Sequence, residues 1–210
     1  MKKCIIFGGA AFDKLISPLG DTDYVIAADS GLAHLEKLGL KPNAIIGDFD
    51  SLGFIPDSAE VFPVEKDDTD MLLAIRHGLD RGFGEFVLYG GLDGNRLDHT
   101  IANLQSLAFL REQGARGYLV GKDYLATVIQ NETAVFAPTA TGILSVFAIG
   151  AEATGVILEG LKYPLENGCL TADFPLGVSN HFLGKESRIS VENGKLLLLW
   201  DAVNGFPEIL

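Results

Sequence analysis

Short apolar runs recur along the first half of the chain, and most stop at glycine or aspartate. Cys4-Ile5-Ile6-Phe7 ends in Gly8-Gly9, Tyr24-Val25-Ile26-Ala27-Ala28 ends at Asp29-Ser30-Gly31, and Ala44-Ile45-Ile46-Gly47 runs into Asp48. Runs of this length bounded by turn residues read as buried strands. Phe86-Val87-Leu88-Tyr89 and Tyr118-Leu119-Val120 repeat the pattern, and Val61-Phe62-Pro63-Val64 is a shorter extended piece. Between these runs the period changes. Leu32, Leu35 and Leu38 recur at helical spacing until Gly39 and Pro42 close the segment. Asp29 or Ser30 is a natural N-cap for it. A helix after Asp70 would put Leu72, Ile75 and Leu79 on one face. Another would turn Leu97, Ile101, Leu104 and Ala108 inward and set Arg96, His99 and Asn103 on a second face. Asp13 to Leu19 has room for one further short helix. Strands alternating with helices as far as about residue 125 predict a parallel sheet with crossover helices.

From Asn131 onward the helical period is lost. Val135-Phe136, Leu144-Ser145-Val146-Phe147, Val156-Ile157-Leu158 and Ile189-Ser190-Val191 follow one another as short apolar runs. Asn193-Gly194 precedes Lys195-Leu196-Leu197-Leu198-Leu199-Trp200, the signature of a tight hairpin. The expected fold is therefore an α/β domain over residues 1–128, with a parallel sheet, followed by an antiparallel β-sandwich over 129–210.

The totals narrow the function. With 210 residues, 48% of them hydrophobic, the chain has ample material for a core. No apolar run approaches the ~18 residues that a transmembrane helix needs, so no membrane partner is expected. The opening Met1-Lys2-Lys3 followed by apolar residues soon meets Asp13, and reads as a first strand and not as a signal peptide. A net charge of -12 disfavours sequence-independent nucleic-acid binding, which depends on neutralising phosphates. Nucleotide binding stays open, because a bound metal reverses the local sign. Cys4 and Cys169 lie far apart without metal-ligand spacing, as expected of reduced thiols in a cytoplasmic protein.

The chemistry centres on Gly47-Asp48-Phe49-Asp50-Ser51. If the strand continues, Asp48 and Asp50 share a face, about 7 Å apart. If it ends at Gly47, both sit in the loop at its carboxyl end, where open α/β sheets bind ligands. Unpaired negative charge is costly to bury, and a divalent cation such as Mg2+ is the simplest reason for the pair. A solvated Asp-rich turn is the alternative. Glu65-Lys66-Asp67-Asp68-Thr69-Asp70 opens the next helix. Acids in a first turn suit the macrodipole, yet three carboxylates and a threonine exceed what a cap needs. Asp70 is thus a candidate third metal or phosphate-site carboxylate. Gly90 and Gly91 follow a strand and free backbone amides for a phosphate. Arg96 suits forked phosphate contacts, though with Asp98 it also makes a plausible ion pair at a helix start. His99 taken alone reads more readily as a surface or capping histidine than as a ligand contact. The chain lacks both the P-loop signature and a glycine fingerprint for nicotinamide dinucleotides.

Taken together, these segments resemble the thiamine pyrophosphokinase family. The resemblance rests on Ala28-Asp29-Ser30-Gly31, Gly47 to Ser51, Asp67-Asp68-Thr69-Asp70, and Gly90-Gly91 through Arg96-Leu97-Asp98-His99 to Asn103. In the second half it rests on Gly160-Leu161-Lys162-Tyr163-Pro164-Leu165 and Ser179-Asn180. It implies a homodimer that uses Mg2+ and transfers a diphosphoryl group from ATP to the hydroxyethyl group of thiamine, releasing AMP. By that resemblance Asp48, Asp50 and Asp70 hold the metal. Asp29, Ser30, Gly31, Thr69, Gly90, Gly91, Arg96, His99 and Asn103 serve the nucleotide, and Asp70 or Asp98 takes the proton. Ser179 and Asn180 meet thiamine across the subunit interface, in a half that also carries dimerisation. Trp200 is a candidate for stacking on the ligand, against core packing as the alternative. The chain departs from the family pattern at His181, where an acidic residue is frequent, and at Ser30, where glycine is. Two rivals remain: a Mg-dependent phosphohydrolase of the aspartyl-phosphate type, and a non-catalytic nucleotide or thiamine sensor.

Overall fold

The computed structural model describes residues 2–48, 60–61 and 67–210. In the first half, β1 (Cys4–Phe7), β2 (Tyr24–Ala28), β3 (Ala44–Gly47), β4 (Glu60–Val61), β5 (Glu85–Tyr89) and β6 (Arg116–Val120) alternate with α1 (Leu32–Leu38), α2 (Asp70–Asp80) and α3 (Leu97–Glu112). The strands are parallel, in the order β4-β3-β2-β1-β5-β6. Strand order reverses between β1 and β5, so the turns after these two strands diverge and leave a crevice at their carboxyl ends.

The sheet does not stop there. β7 (Tyr124–Gln130) runs antiparallel to β6, and β14 (Lys195–Asp201), β9 (Ile143–Ala148) and β12 (Gly177–His181) extend the sheet to ten strands. A second, five-stranded antiparallel sheet has the order β11 (Leu165–Leu170), β10 (Ala153–Glu159), β13 (Ser187–Ser190), β8 (Thr133–Phe136) and β15 (Glu208–Ile209). It packs on the antiparallel half of the first, as the sandwich expectation requires. Trp200 lies between the sheets with its ring edge against Phe136, and both are fully buried. α2 and α3 cover one face of the parallel half, where Cys4, Ile6, Leu88 and Leu119 meet Ala74, Ile75, Leu107 and Leu110.

Four local expectations are corrected. Residues 13–19 form bends, not a helix. Pro18 biases Ser17 away from helical backbone, and the segment is instead pinned by Phe12 against Tyr89 and by the Ile16 N–H donating to the Tyr89 hydroxyl at 3.1 Å. The buried residues of α2 are Met71, Ala74, Ile75 and Gly78, so Ile75 lies inward as expected and Leu79 packs partly buried against the core, but the stripe centres one position away from Leu72. Glycine is required at one point because the helix lies close to the sheet there: a Cβ on Gly78 would stand 2.6 Å from the Phe86 ring and 2.9 Å from Cys4 Sγ. In α3 the buried residues are Asn103, Ser106, Leu107 and Leu110; Leu104 and Ala108 pack partly buried against the core as expected, while Leu97 is 71% and Ile101 51% exposed. Asn193-Gly194 does not close a hairpin, because β13 and β14 belong to different sheets. It carries the chain from one layer to the other, with Gly194 at φ +103 and a Cβ there only 2.7 Å from the Glu152 carbonyl oxygen. The extended piece expected at 61–64 begins in β4, and its remainder lies outside the described residues. Among the described residues, no helix is long and apolar enough to cross a membrane.

Candidate active site

The crevice between the β1 and β5 turns opens into a cavity of about 850 Å³. That volume suits a ligand the size of a nucleotide. Its floor is glycine. Gly8-Gly9 follows β1 and Gly90-Gly91 follows β5, with the Gly8 N–H donating to the Tyr89 carbonyl at 2.8 Å and the Ala10 N–H to the Gly90 carbonyl at 3.1 Å. Gly90 has φ +68, and a Cβ there would sit 2.4 Å from the Gly8 carbonyl oxygen, so this contact excludes any side chain. The turn after β2 fits equally tightly. A Cβ on Gly31 would fall 1.8 Å from the Phe7 carbonyl oxygen, and Asp29 takes a left-handed φ of 47. Gly31 is therefore a spacer buried behind the wall, while Asp29 and Ser30 line the cavity. Neither caps α1 with its side chain, contrary to the simplest reading of Asp29-Ser30.

Carboxylates ring this floor. Asp48, at the end of β3, and Asp70, in the first turn of α2, both line the cavity, with Asp29, Asp67, Asp68 and Asp93. Asp50, the other acid of the central motif, lies outside the described residues. Asp68 pairs with Arg76 at 2.7 Å. Thr69 does act as the cap: its Oγ1 accepts the Leu72 N–H at 3.2 Å, which settles the start of α2 and the position of Asp70. Among the described residues, no three acids, histidines or cysteines already stand around one point as a metal cluster. The acids that line it offer carboxylate oxygens, the donors a hard cation prefers.

Arg96, His99 and Asn103 also line the cavity, from the start of α3. Asp98 does not. It faces solvent and takes the Arg96 guanidinium at 2.6 and 3.3 Å. That hydrogen bond holds its carboxyl below the usual carboxylate range and makes it a weaker proton acceptor. Asn103 is buried, and its Nδ2 donates to the Gly91 carbonyl at 2.9 Å.

The three residues expected to meet the second substrate lie elsewhere. Ser179 is on β12, the far edge of the ten-stranded sheet, exposed and at φ +58, with its N–H donating to Ser145 Oγ at 3.0 Å. Asn180 is buried, and its amide is engaged with the Tyr163 backbone. Trp200 is 1% exposed and its indole N–H donates to the Gly205 carbonyl at 2.9 Å, so its ring offers no face to a ligand. Asp67 and Asp68, from the acidic stretch before α2, line the cavity too, and Gly8, Gly9, Asp93 and Thr100 do so without having been candidate site residues from sequence. The double glycine after β1 was the available signal, since it repeats the one after β5.

Comparison with known proteins now bears on this arrangement. Residues 17–119 match the family model described as thiamin pyrophosphokinase, catalytic domain, and residues 130–197 match thiamin pyrophosphokinase, vitamin B1 binding domain. The chain belongs to the thiamin pyrophosphokinase family. The thiamine pyrophosphokinase of Bacillus subtilis (strain 168) is 26% identical over 190 residues, covering 83% of this chain and 85% of that protein. Among solved structures, the B. subtilis enzyme superposes with a TM-score of 0.82 at 22% identity, covering 96% of this chain and 99% of the other. The thiamin pyrophosphokinase of Geobacillus thermodenitrificans gives 0.79 at 25%, covering 96% and 97%. That of Candida albicans gives 0.75 at 14%, covering 95% and 88%, a likeness of fold. Most of the cavity falls inside the segment that matches the thiamin pyrophosphokinase catalytic domain, and Ser179 and Asn180 fall inside the vitamin B1 binding match.

Proposed function

We propose that this chain transfers the diphosphoryl group of ATP to thiamine, giving thiamine diphosphate and AMP, as a Mg-dependent cytoplasmic homodimer. One observation carries the reading. In a chain with both halves of the family, Asp48 and Asp70 line one cavity with the glycine turns after β1 and β5, at the switch point of the sheet. Residues 1–128 then serve nucleotide and metal, and 129–210 serve thiamine and dimerisation.

Asp48 and Asp70 are the described residues that would hold Mg2+, joined by Asp50 from the same motif. When bound, the ion supplies charge neutralisation on the phosphate oxygens. The rest is positioning, as in other phosphoryl transfers. The turns at Gly8-Gly9 and Gly90-Gly91 accept the phosphate chain closely, and Arg96, whose guanidinium also holds Asp98, lines the cavity wall. Asp29, Ser30 and His99 line the remainder of the nucleotide site. The thiamine hydroxyl attacks the β-phosphorus in line with departing AMP, and its proton goes to a carboxylate. Asp70 is favoured over Asp98, because it lines the cavity while Asp98 faces out in an ion pair.

The dimer is supported by sheet geometry. From β5, beside the cavity, to β12, which carries Ser179, the order runs β5-β6-β7-β14-β9-β12. Five steps of about 4.8 Å make roughly 24 Å along the sheet, farther than one thiamine molecule reaches. A second copy can bring its Ser179 to the cavity of the first. Exposed apolar side chains are available to seat it: Leu97 and Ile101 on α3, and Phe174, Leu176 and Val178 around β12.

The test is one assay. Protein, ATP, thiamine and Mg2+ are incubated and the products counted, with equimolar AMP and thiamine diphosphate expected. Inorganic phosphate without AMP would support a phosphohydrolase, and binding without turnover a sensor. Asp48→Asn and Asp70→Asn are each expected to lose about a thousandfold in rate or more while melting like the parent protein. Variants that unfold instead would make these acids structural.

A further inference from the structure

We infer that Asn103, Thr100 and Asp93 form a three-point tether that holds the turn after β5 in its ligand-ready shape, and act through that turn instead of through contacts of their own. The inference rests on the reading that this cavity takes ATP. Three consecutive residues of the turn are each held, two from α3 and one from the turn between β6 and β7. Asn103 Nδ2 donates to the Gly91 carbonyl at 2.9 Å. The Thr100 hydroxyl donates to the Leu92 carbonyl at 3.0 Å. Asp93 Oδ2 accepts the backbone N–H of Lys122, in the turn between β6 and β7. A backbone bridge between Ala11 and Asp93 ties the same point to the turn after β1.

A turn containing Gly90, Gly91 and Gly94 has much conformational freedom to lose on binding. Ordering it beforehand removes that cost from the ligand. The carbonyl and N–H of a trans peptide point in opposite directions, so fixing the Gly91 and Leu92 carbonyls also fixes the N–H groups of Leu92 and Asp93. Glycine keeps the tether's seats clear. A Cβ on Gly91 would stand 2.5 Å from Leu119 Cδ2 and 3.3 Å from Asn103 Nδ2, and one on Gly121 would stand 2.3 Å from Asp93 Oδ2. The aspartate in this cavity wall thus serves as a hydrogen-bond acceptor for the scaffold, which separates it in role from Asp48 and Asp70.

Paired variants test this. Thr100→Val keeps the shape of the side chain and removes its donor, while Thr100→Ser keeps the donor. Asp93→Ala removes the acceptor, while Asp93→Asn keeps an oxygen there without the charge. Gly121→Ala leaves Asp93 intact and crowds its seat. ATP affinity is measured by calorimetric titration, and KM is measured separately for ATP and thiamine. Thr100→Val, Asp93→Ala and Gly121→Ala are each expected to weaken ATP about five- to tenfold in both measurements, with KM for thiamine changed less than about twofold. Thr100→Ser and Asp93→Asn are expected to recover most of the loss. Unchanged ATP affinity in the three disruptive variants overturns the tether. So does an Asp93→Asn as weak as Asp93→Ala, because the charge would then be what matters. A wild-type protein that binds ATP but makes no thiamine diphosphate would sink the proposed reaction, and the ATP titrations would still judge the tether.

Discussion

Replacing Asn180 by alanine asks whether its amide holds the protein or the substrate. The side chain is 3% exposed. Its Oδ1 accepts the Tyr163 N–H and the His181 N–H, each at 2.9 Å, and its Nδ2 donates to the Tyr163 carbonyl at 2.7 Å. One side chain therefore satisfies both peptide groups of Tyr163 and fixes the loop that follows Gly160-Leu161. Each such bond contributes about 1 kcal/mol net, and more is lost when a partner stays buried and unsatisfied. The Tyr163 side chain is 56% exposed, so water reaches this loop and softens the loss. A total of about 2–3 kcal/mol results, and at about 2–4 °C per kcal/mol for a chain of this size the variant melts roughly 5–10 °C lower. Thermal melts give the stability, and calorimetric titration with thiamine, below the transition, gives the binding. A variant that melts with the parent yet no longer binds thiamine would refute the structural role and make Asn180 a direct contact.

Three further outcomes follow from charge and burial. Glu132 Oε1 accepts Arg111 at 2.7 Å and Arg116 at 2.8 Å, with the three side chains 12–29% exposed. Breaking a fully buried pair costs about 3–5 kcal/mol, and partial exposure reduces this to about 2, so Glu132→Gln is expected to melt about 4–8 °C lower, at unchanged turnover. An unchanged melting temperature would show that solvent already screens the triad. Burial also pushes the Cys4 thiol up to about 12 from 9.0 and the Tyr118 phenol up to about 12 from 10.0. Both folded values are raised, so their stabilisation is complete below about pH 9 and drains away as pH climbs toward 12. Melting temperature is expected to fall across that window, less steeply in Cys4→Ala. In the native protein a thiol reagent should label exposed Cys169 well before Cys4, and equal labelling rates would contradict the burial argument.

The parallel strands were legible because each is an apolar run cut off by glycine or aspartate, and the same punctuation marks the cavity floor. Asp48, Asp70 and Gly90-Gly91 came out of the sequence for that reason: they end strands or open a helix on one side of the sheet. What sequence could not give was depth. Leu97 and Ile101 look like core on a helical wheel, yet they are exposed, because the sheet-facing side of α3 carries Asn103 and Ser106 to serve backbone carbonyls. Likewise, Asn193-Gly194 has the chemistry of a hairpin, but pairing is decided by which sheet each flanking strand joins. Asp98 and Asp93 differ for a similar reason. One sits on the outer side of the helix start with Arg96, the other in a turn docked against Lys122, and a string of letters does not say which way each carboxylate turns.

Whether two subunits share each site can be decided by mixing defects. Let one chain carry Asp48→Asn, which disables the cavity half, and another carry Ser179→Arg, which sets a bulky cation where thiamine's own cation is proposed to sit. Each homodimer is inactive. In a two-fold dimer with shared sites, a mixed dimer has one site built from the two damaged halves and one built from the two intact halves. Random pairing makes half the dimers mixed, and half of their sites are intact, so co-refolded chains are expected to recover about a quarter of parental activity. If each site were built within one chain, every site in the mixture would carry one defect and none would be active. The separation of roughly 24 Å between β5 and β12 along the sheet argues for the first outcome. An inactive mixture, with dimers confirmed by sedimentation, would refute a site shared between subunits.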